Sequence, residues 1–192
     1  MFIGGAAFVA YPFYTDYLAG KQQQTLAVAL KSEAARRQFE DNEVPDSSPL
    51  TRLVIPRLQV DTVVVEGISD EALDTGAGHY PDSPLPGQPG NVAIAGHRNT
   101  FGKPFADLDK LRPGDKVILE TPVGRHVYQM VEPFEGHGNP WVTTPGDTSV
   151  LAPTSESVLT LTTCHPKGSA KERLIARLKL VESSSGPALA AA

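Results

Sequence analysis

The chain predicts a mainly β domain, about eight short strands in a closed barrel or a sandwich with almost no helix. Two observations carry this. From Leu50 to Val181, short runs of Val, Ile, Leu and Thr recur between turn residues. Glycine and proline number 17 each and are spread through the middle of the chain, which suits tight turns between strands better than long helices. Closure into a barrel would remove exposed strand edges.

Composition narrows the function classes. The 192 residues suffice for one domain with a real core plus extensions, and 40% hydrophobic with 20% charged residues is an ordinary globular balance. A net charge of -5 without a cluster of Lys and Arg argues against nucleic acid as a partner. The single cysteine excludes an intramolecular disulfide framework and leaves a free thiol.

In chain order, Phe2 to Tyr14 is apolar and uncharged, interrupted by Pro12. It is shorter than the about 20 residues a spanning helix needs, so residues 1–20 are expected to be a partial membrane anchor. Lys21 to Glu40 is rich in helix formers, with a narrow apolar stripe of Leu26, Ala29, Leu30 and Ala34. With the Asp/Asn/Pro/Ser linker that follows, residues 21–49 read as a solvated helical stalk and connection. The folded domain should span 50–182. Its strands are expected at Leu53–Ile55, Val60–Val65, Asn91–His97, Lys116–Thr121, Arg125–Glu132, Val158–Cys164 and Glu172–Val181, with a helical turn capped by Ser69 and a short helix over Phe105–Leu111. Gly76–Gly90 and Phe134–Pro153 are too rich in Gly and Pro for regular structure. The tail 183–192 is of low complexity and expected to be disordered.

The strand Val158–Cys164 ends in the only cysteine, and Pro166 cannot continue a paired ladder. Side chains alternate along a strand, so with Leu159 and Leu161 in the core, Val158, Thr160, Thr162 and Cys164 face outward. A lone cysteine is ordinarily an inert small hydrophobe, so the case for chemistry rests on its neighbours. In Asn91–His97, Val92 and Ile94 share the core face, which turns Ala93, Ala95 and His97 outward. In Arg173–Leu180, Leu174, Ala176 and Leu178 are core, leaving Arg173, Ile175 and Arg177 outside. Only eight residues, His165 to Glu172, separate the cysteine from Arg173, so the two strands are neighbours. The small Ala93 and Ala95 leave a depression beside His97. A thiol activated by a neighbouring cation, an imidazole able to protonate an amine and a guanidinium able to hold an oxyanion form a usable nucleophilic set.

Thr160-Leu-Thr-Thr-Cys164, the Ala95-Gly-His97-Arg98 step, Arg173 nine positions after the cysteine, and Gly78-His79-Tyr80-Pro81 with Gly90-Asn91 upstream together resemble a sortase. The likeness covers about Leu50 to Val181. The His-Pro after the cysteine and the Gly/Pro-rich loop before the histidine are most similar to class E, with class D next. The resemblance implies an eight-stranded sortase barrel and a catalytic set of His97, Cys164 and Arg173, with Ala93, Ala95, Thr162 and Thr163 as substrate-binding positions. It implies a cysteine transpeptidase that cleaves an LAXTG- or LPXTG-like sorting signal between Thr and Gly through a thioester. The acyl group would pass to a peptidoglycan precursor amine, on the outer side of a membrane that holds the N-terminus. No cofactor and no metal, calcium included, are expected, since the chain has no CxxC or HExxH pattern and its acids are scattered.

Other candidates rank lower. His165 adjoins the thiol but should face the opposite way. His79, His126 and His137 read as loop or strand surface residues, although His79 lies within a family-like string. Arg177 shares the parity of Arg173 but lies further along the strand, away from the thiol. A papain-like site would need a CGxCW string that is absent. The competing functional class is a non-catalytic, surface-displayed β-barrel that only binds.

Overall fold

The computed structural model describes residues 3–134, 136, 138–186 and 189. Its strands are β1 (Pro49–Ile55), β2 (Val60–Glu66), β3 (Ala77–His79), β4 (Asn91–Gly96), β5 (Lys116–Thr121), β6 (Gly124–Met130), β7 (Trp141–Thr143), β8 (Val158–His165) and β9 (Glu172–Ser185). Eight of them form a ring in the order β6-β5-β1-β2-β3-β4-β8-β9, closed by pairing of β9 with β6. The short β7 stands outside the ring on β9. The 14-residue β9 reaches both partners, with Arg173–Ile175 against β7 and Leu178–Ser185 against β6. Two neighbour pairs, β2–β3 and β4–β8, are parallel.

The alternation read from sequence holds inside the ring. Val92, Ile94, Leu159, Leu161, Leu174, Ala176 and Leu178 all enter one buried cluster with Phe105, Tyr128 and Met130. The outer face differs from expectation. Ile175 and Arg177, placed outside by parity, are buried, because the 131–153 segment folds back over β9. There Asn139 donates to the carbonyls of Val131 and Arg177 and accepts from the Arg177 amide, while the rings of Phe134 and Trp141 flank the Arg177 guanidinium at 5.2 and 5.7 Å. That packing removes the outward position from water.

Local structure departs from the sequence reading at four places. β3 lies in the Gly/Pro-rich stretch expected to be irregular. Gly78 allows it: a Cβ there would stand 2.1 Å from the Gly67 carbonyl oxygen, so only a residue without one lets the two backbones meet. Likewise β7 arises in an expected loop, since its pairing is supplied by β9. The Phe105–Leu111 helix reduces to one 3₁₀ turn, Leu108–Lys110, because Phe105 is drawn wholly into the core. Its ring lies over Gly96, where an added Cβ would meet it at 2.7 Å. At the end of the chain, Ser183 to Ser185 continue β9 along Gly124–His126 where disorder was expected, and residues 187, 188 and 190–192 of that tail lie outside the described residues.

The N-terminal helix comes in two pieces, α1 (Ile3–Ala29) and α2 (Glu33–Glu40), the second capped by Ser32. It lies against the barrel rather than standing free. Gln23 of α1 donates to the carbonyls of Val63 and Thr75 and accepts from the Val63 amide, and Asp16 accepts from the Gly102 amide and Lys103 Nζ. Phe39 of α2 packs on Leu50 and Leu85. Among the described residues no helix is long and apolar enough to cross a membrane.

Candidate active site

Pairing brings the three predicted side chains into one row. In the parallel β4–β8 ladder Ala95 faces Thr162. Thr163 then donates its hydroxyl to the Gly96 carbonyl at 2.7 Å, so the register continues and sets His97 beside Cys164. In the antiparallel β8–β9 ladder Cys164 faces Arg173 directly. Cys164 and Arg173 are thus cross-strand partners on β8 and β9, and His97 comes one residue past the end of β4, directly after the Gly96 that Thr163 holds. The thiol is free and half-buried, in the middle of the row.

His97 is held from two sides. Its ring lies on that of Phe101, centroids 5.2 Å apart. On the other side Nε2 comes to 3.9 Å from Asp74 Oδ1, just after the short helix α3 (Asp70–Leu73) that Ser69 caps as the sequence predicts. No hydrogen bond satisfies this buried Nε2 among the described residues. Burial pushes the His97 pKa below its ordinary 6.5, and the carboxylates of Asp74 and, more weakly, Asp70 pull it back up. At neutral pH the imidazole is therefore mostly uncharged. Between the lowered folded value and about 6.5 the unfolded chain binds more protons, so this group lowers stability as pH falls through that window.

An expected result follows for Asp74→Asn. It removes the largest opposing charge, so the His97 pKa drops further and the acid limb of the pH–rate profile moves to lower pH. The share of enzyme carrying an imidazolium beside a thiolate shrinks, and plateau kcat/KM should fall several-fold, on the order of 3–10. An unchanged acid limb would show that Asp74 does not reach the imidazole.

Arg173 is partly exposed, and its Nη1 donates to the carbonyls of Ala170 and Glu172 in the turn leading into β9. Both bonds are at 3.1 Å and use one terminal nitrogen of the guanidinium. Arg177 is no substitute, since it faces Thr160 four pairs down the ladder and donates to that hydroxyl.

The four expected substrate positions differ. Ala95 keeps accessible surface beside His97. Thr162 is buried, but its hydroxyl shares a 3.1 Å hydrogen bond with Tyr80 Oη and so carries Tyr80 to the rim of the row. Ala93 is fully enclosed, its amide donating to Ser83 and its carbonyl accepting from Tyr80. Thr163 lies on the face of the core leucines and is spent on Gly96. These two back the floor and offer it no surface.

His79 and His126, expected at the surface, are buried. His79 spans Glu66 through Nδ1 at 2.9 Å, and Ser83 Oγ and the Pro84 carbonyl through Nε2 at 2.8 and 3.0 Å. The order Ser83–His79–Glu66 looks like a hydrolase triad, yet the Ser83 hydroxyl gives its proton to the Tyr80 carbonyl and accepts from Ala93. It is a brace under the loop that presents Tyr80. His126 bonds Ser183, burial lowering its pKa, and His137 lies outside the described residues. His165 points away from the row and takes Arg98 Nη1 on Nδ1 at 2.7 Å. Among the described residues no cluster of His, Cys, Asp and Glu is suited to a metal ion.

Known proteins are similar to this chain in sequence and fold. A family model described as a sortase domain matches residues 53–181. Sortase SrtE1 of Streptomyces coelicolor is 34% identical over 191 residues, covering 91% of this chain and 53% of its own length. Sortase D of Bacillus subtilis is 32% identical over 127 residues, 64% of this chain and 59% of that protein. This chain thus spans little more than half the length of these two relatives. The crystal structure of sortase E1 from Streptomyces coelicolor with a tripeptide in its active site superposes with a TM-score of 0.64 at 35% identity, over 72% of this chain and 91% of that one. With a matching model over most of its length, the same barrel and a cysteine at the end of β8, the chain belongs to the sortase family of cysteine transpeptidases.

Proposed function

We propose that this chain is a sorting-signal transpeptidase of the class E kind, acting on LAXTG- or LPXTG-like segments between Thr and Gly. The observation that carries this is the row His97–Cys164–Arg173, with Cys164 opposite Arg173 on β8 and β9 and His97 one residue past the end of β4. Cys164 is the only cysteine of the sequence.

The chemistry follows from the row. The Cys164 thiolate attacks the threonine carbonyl carbon, and the negative charge moves to the carbonyl oxygen, where the unused N–H groups of Arg173 can donate. As the C–N bond breaks, His97 as imidazolium gives its proton to the leaving glycine amine. This leaves a thioester on Cys164 and a neutral imidazole. An incoming amine attacks the thioester, His97 takes its proton, and the C–S bond breaks to restore the thiolate and imidazolium. Ala95, with Tyr80 set by Thr162, forms the wall along which the extended signal would lie. The pairing of Arg173 with Cys164 across β8 and β9 supports its role at the oxyanion.

The donors in this reading are secreted proteins bearing the signal, and the acceptor is a peptidoglycan precursor amine. The barrel would work outside the cell, tethered by its N-terminus. The uncharged run Phe2–Tyr14 supports tethering, as do Phe13, Tyr14 and Tyr17, which expose large aromatic surfaces suited to a membrane interface. The test incubates the chain with LAXTG and LPXTG peptides and a glycine-type amine and follows intact mass. An acyl adduct on Cys164 and an amine-exchanged product are expected, and their relative rates report which signal is preferred. Absence of any adduct with either peptide would favour the binding-only barrel.

A further inference from the structure

Arg98 follows His97 in the chain, and alternation turns it to the opposite side. It is 4% exposed, in a place where a cation is costly unless it is fully paired. Each nitrogen is used. Nη1 donates to the Cys164 carbonyl at 3.3 Å and to His165 Nδ1 at 2.7 Å, Nη2 to Asp109 Oδ1 at 2.8 Å, and Nε to the Ala106 carbonyl at 3.4 Å. One guanidinium thus ties the residue after the histidine to the peptide of the nucleophile itself.

We propose that Arg98 is a positioning residue that locks the end of β8 to the end of β4, holding Cys164 at working distance from His97, with His165 as the acceptor that completes the lock. This rests on the transpeptidase reading above. β4 and β8 are paired by hydrogen bonds only as far as Ala95 and Thr162, with the Thr163 hydroxyl reaching one step further. Beyond that point nothing but Arg98 joins the two segments among the described hydrogen bonds, and the reacting residues lie there. A guanidinium always keeps its hydrogens, so His165 Nδ1 must present its lone pair and the ring carries its hydrogen on Nε2. A lysine, as a single point charge on a flexible stem, cannot span these four acceptors.

The experiment uses the full chain, with acyl transfer measured in single turnovers, KM determined separately, and the folded fraction fixed by circular dichroism and thermal melting. Arg98→Lys is expected to lower the acylation rate per folded molecule about 10–100-fold, with KM changed less than about 3-fold, since the peptide still binds but the thiol and imidazole are misaligned. His165→Leu, which removes only the shortest bond of the lock, should show the same split in weaker form. His165→Asn keeps an acceptor near the Nδ1 position and should restore most of the rate. In the unaltered chain, nitrogen NMR of His165 should show an unprotonated Nδ1, and in Arg98→Lys that signature should be lost. If Arg98→Lys does not fold, the His165 pair and the NMR signature decide. Unchanged acylation per folded molecule in Arg98→Lys or His165→Leu, or equal losses in His165→Asn and His165→Leu, would overturn the proposal. An unaltered chain that fails to acylate at all would instead overturn the transpeptidase reading.

Discussion

Cys164→Ala is expected to abolish both cleavage and transfer, with a loss of at least about 10³-fold and no acyl adduct in the mass spectrum. The physical reason is that the proposed cycle forms and breaks its acyl bond at the sulfur, and no other side chain in the row supplies a thiol. The substitution should leave the fold intact. Cys164 is half-buried at the end of β8, makes none of the described side-chain hydrogen bonds, and loses one atom to a site open on one side. The cost in stability should stay within about 1 kcal/mol, so thermal melting separates lost chemistry from lost structure. Retained activity in Cys164→Ala would remove the thiol from the mechanism and return the molecule to a binding role.

The second large effect is expected at Arg173. Arg173→Ala should reduce kcat about 10²–10³-fold, the usual consequence of deleting a donor aimed at developing oxyanion charge. Among the described residues its bonds go to the carbonyls of Ala170 and Glu172, both exposed, so the cost in stability is small, about 0.5–1.5 kcal/mol. Arg173→Lys should recover part of the rate, because an ammonium retains the charge but not the fork. The measurement is a comparison of kcat with KM. A change confined to KM would make Arg173 a substrate-binding group with equal hold on ground and transition states, and an unchanged kcat/KM would remove it from the site. The contrast with Arg177 is a built-in control, since that arginine shares parity but is buried between Phe134 and Trp141 and bound to Thr160.

Much of this was legible in the residues. Alternation assigned Leu159 and Leu161 to the core and Cys164 to the opposite face, and the same rule oriented Val92, Ile94 and His97, because a strand has no other way to dispose its side chains. The short connection His165–Glu172 made β8 and β9 neighbours. Arg98 was visible too, though only as part of a family-like string. Alternation that sends His97 outward sends Arg98 inward, and an inward cation needs partners; that was a usable signal. Asp74 carried none, because it is remote in sequence from His97 and reaches it only through the docking of α3.

What the sequence determined alone is the thing set by local chemistry: which residues alternate to which face, where turns fall, and that a single thiol closes a strand. Tertiary structure decided what depends on partners from distant segments. The exact opposition of His97, Cys164 and Arg173 is a matter of register, fixed by ladders that join β4, β8 and β9. The burial of Ile175 and Arg177 depends on a loop folding over them, the strand character of Ala77–His79 on the approach of Gly67, and the depressed His97 pKa on walls supplied by Phe101 and α3. Periodicity reports one strand at a time, whereas register, desolvation and electrostatic coupling are properties of pairs, and a pair exists only once the chain has closed.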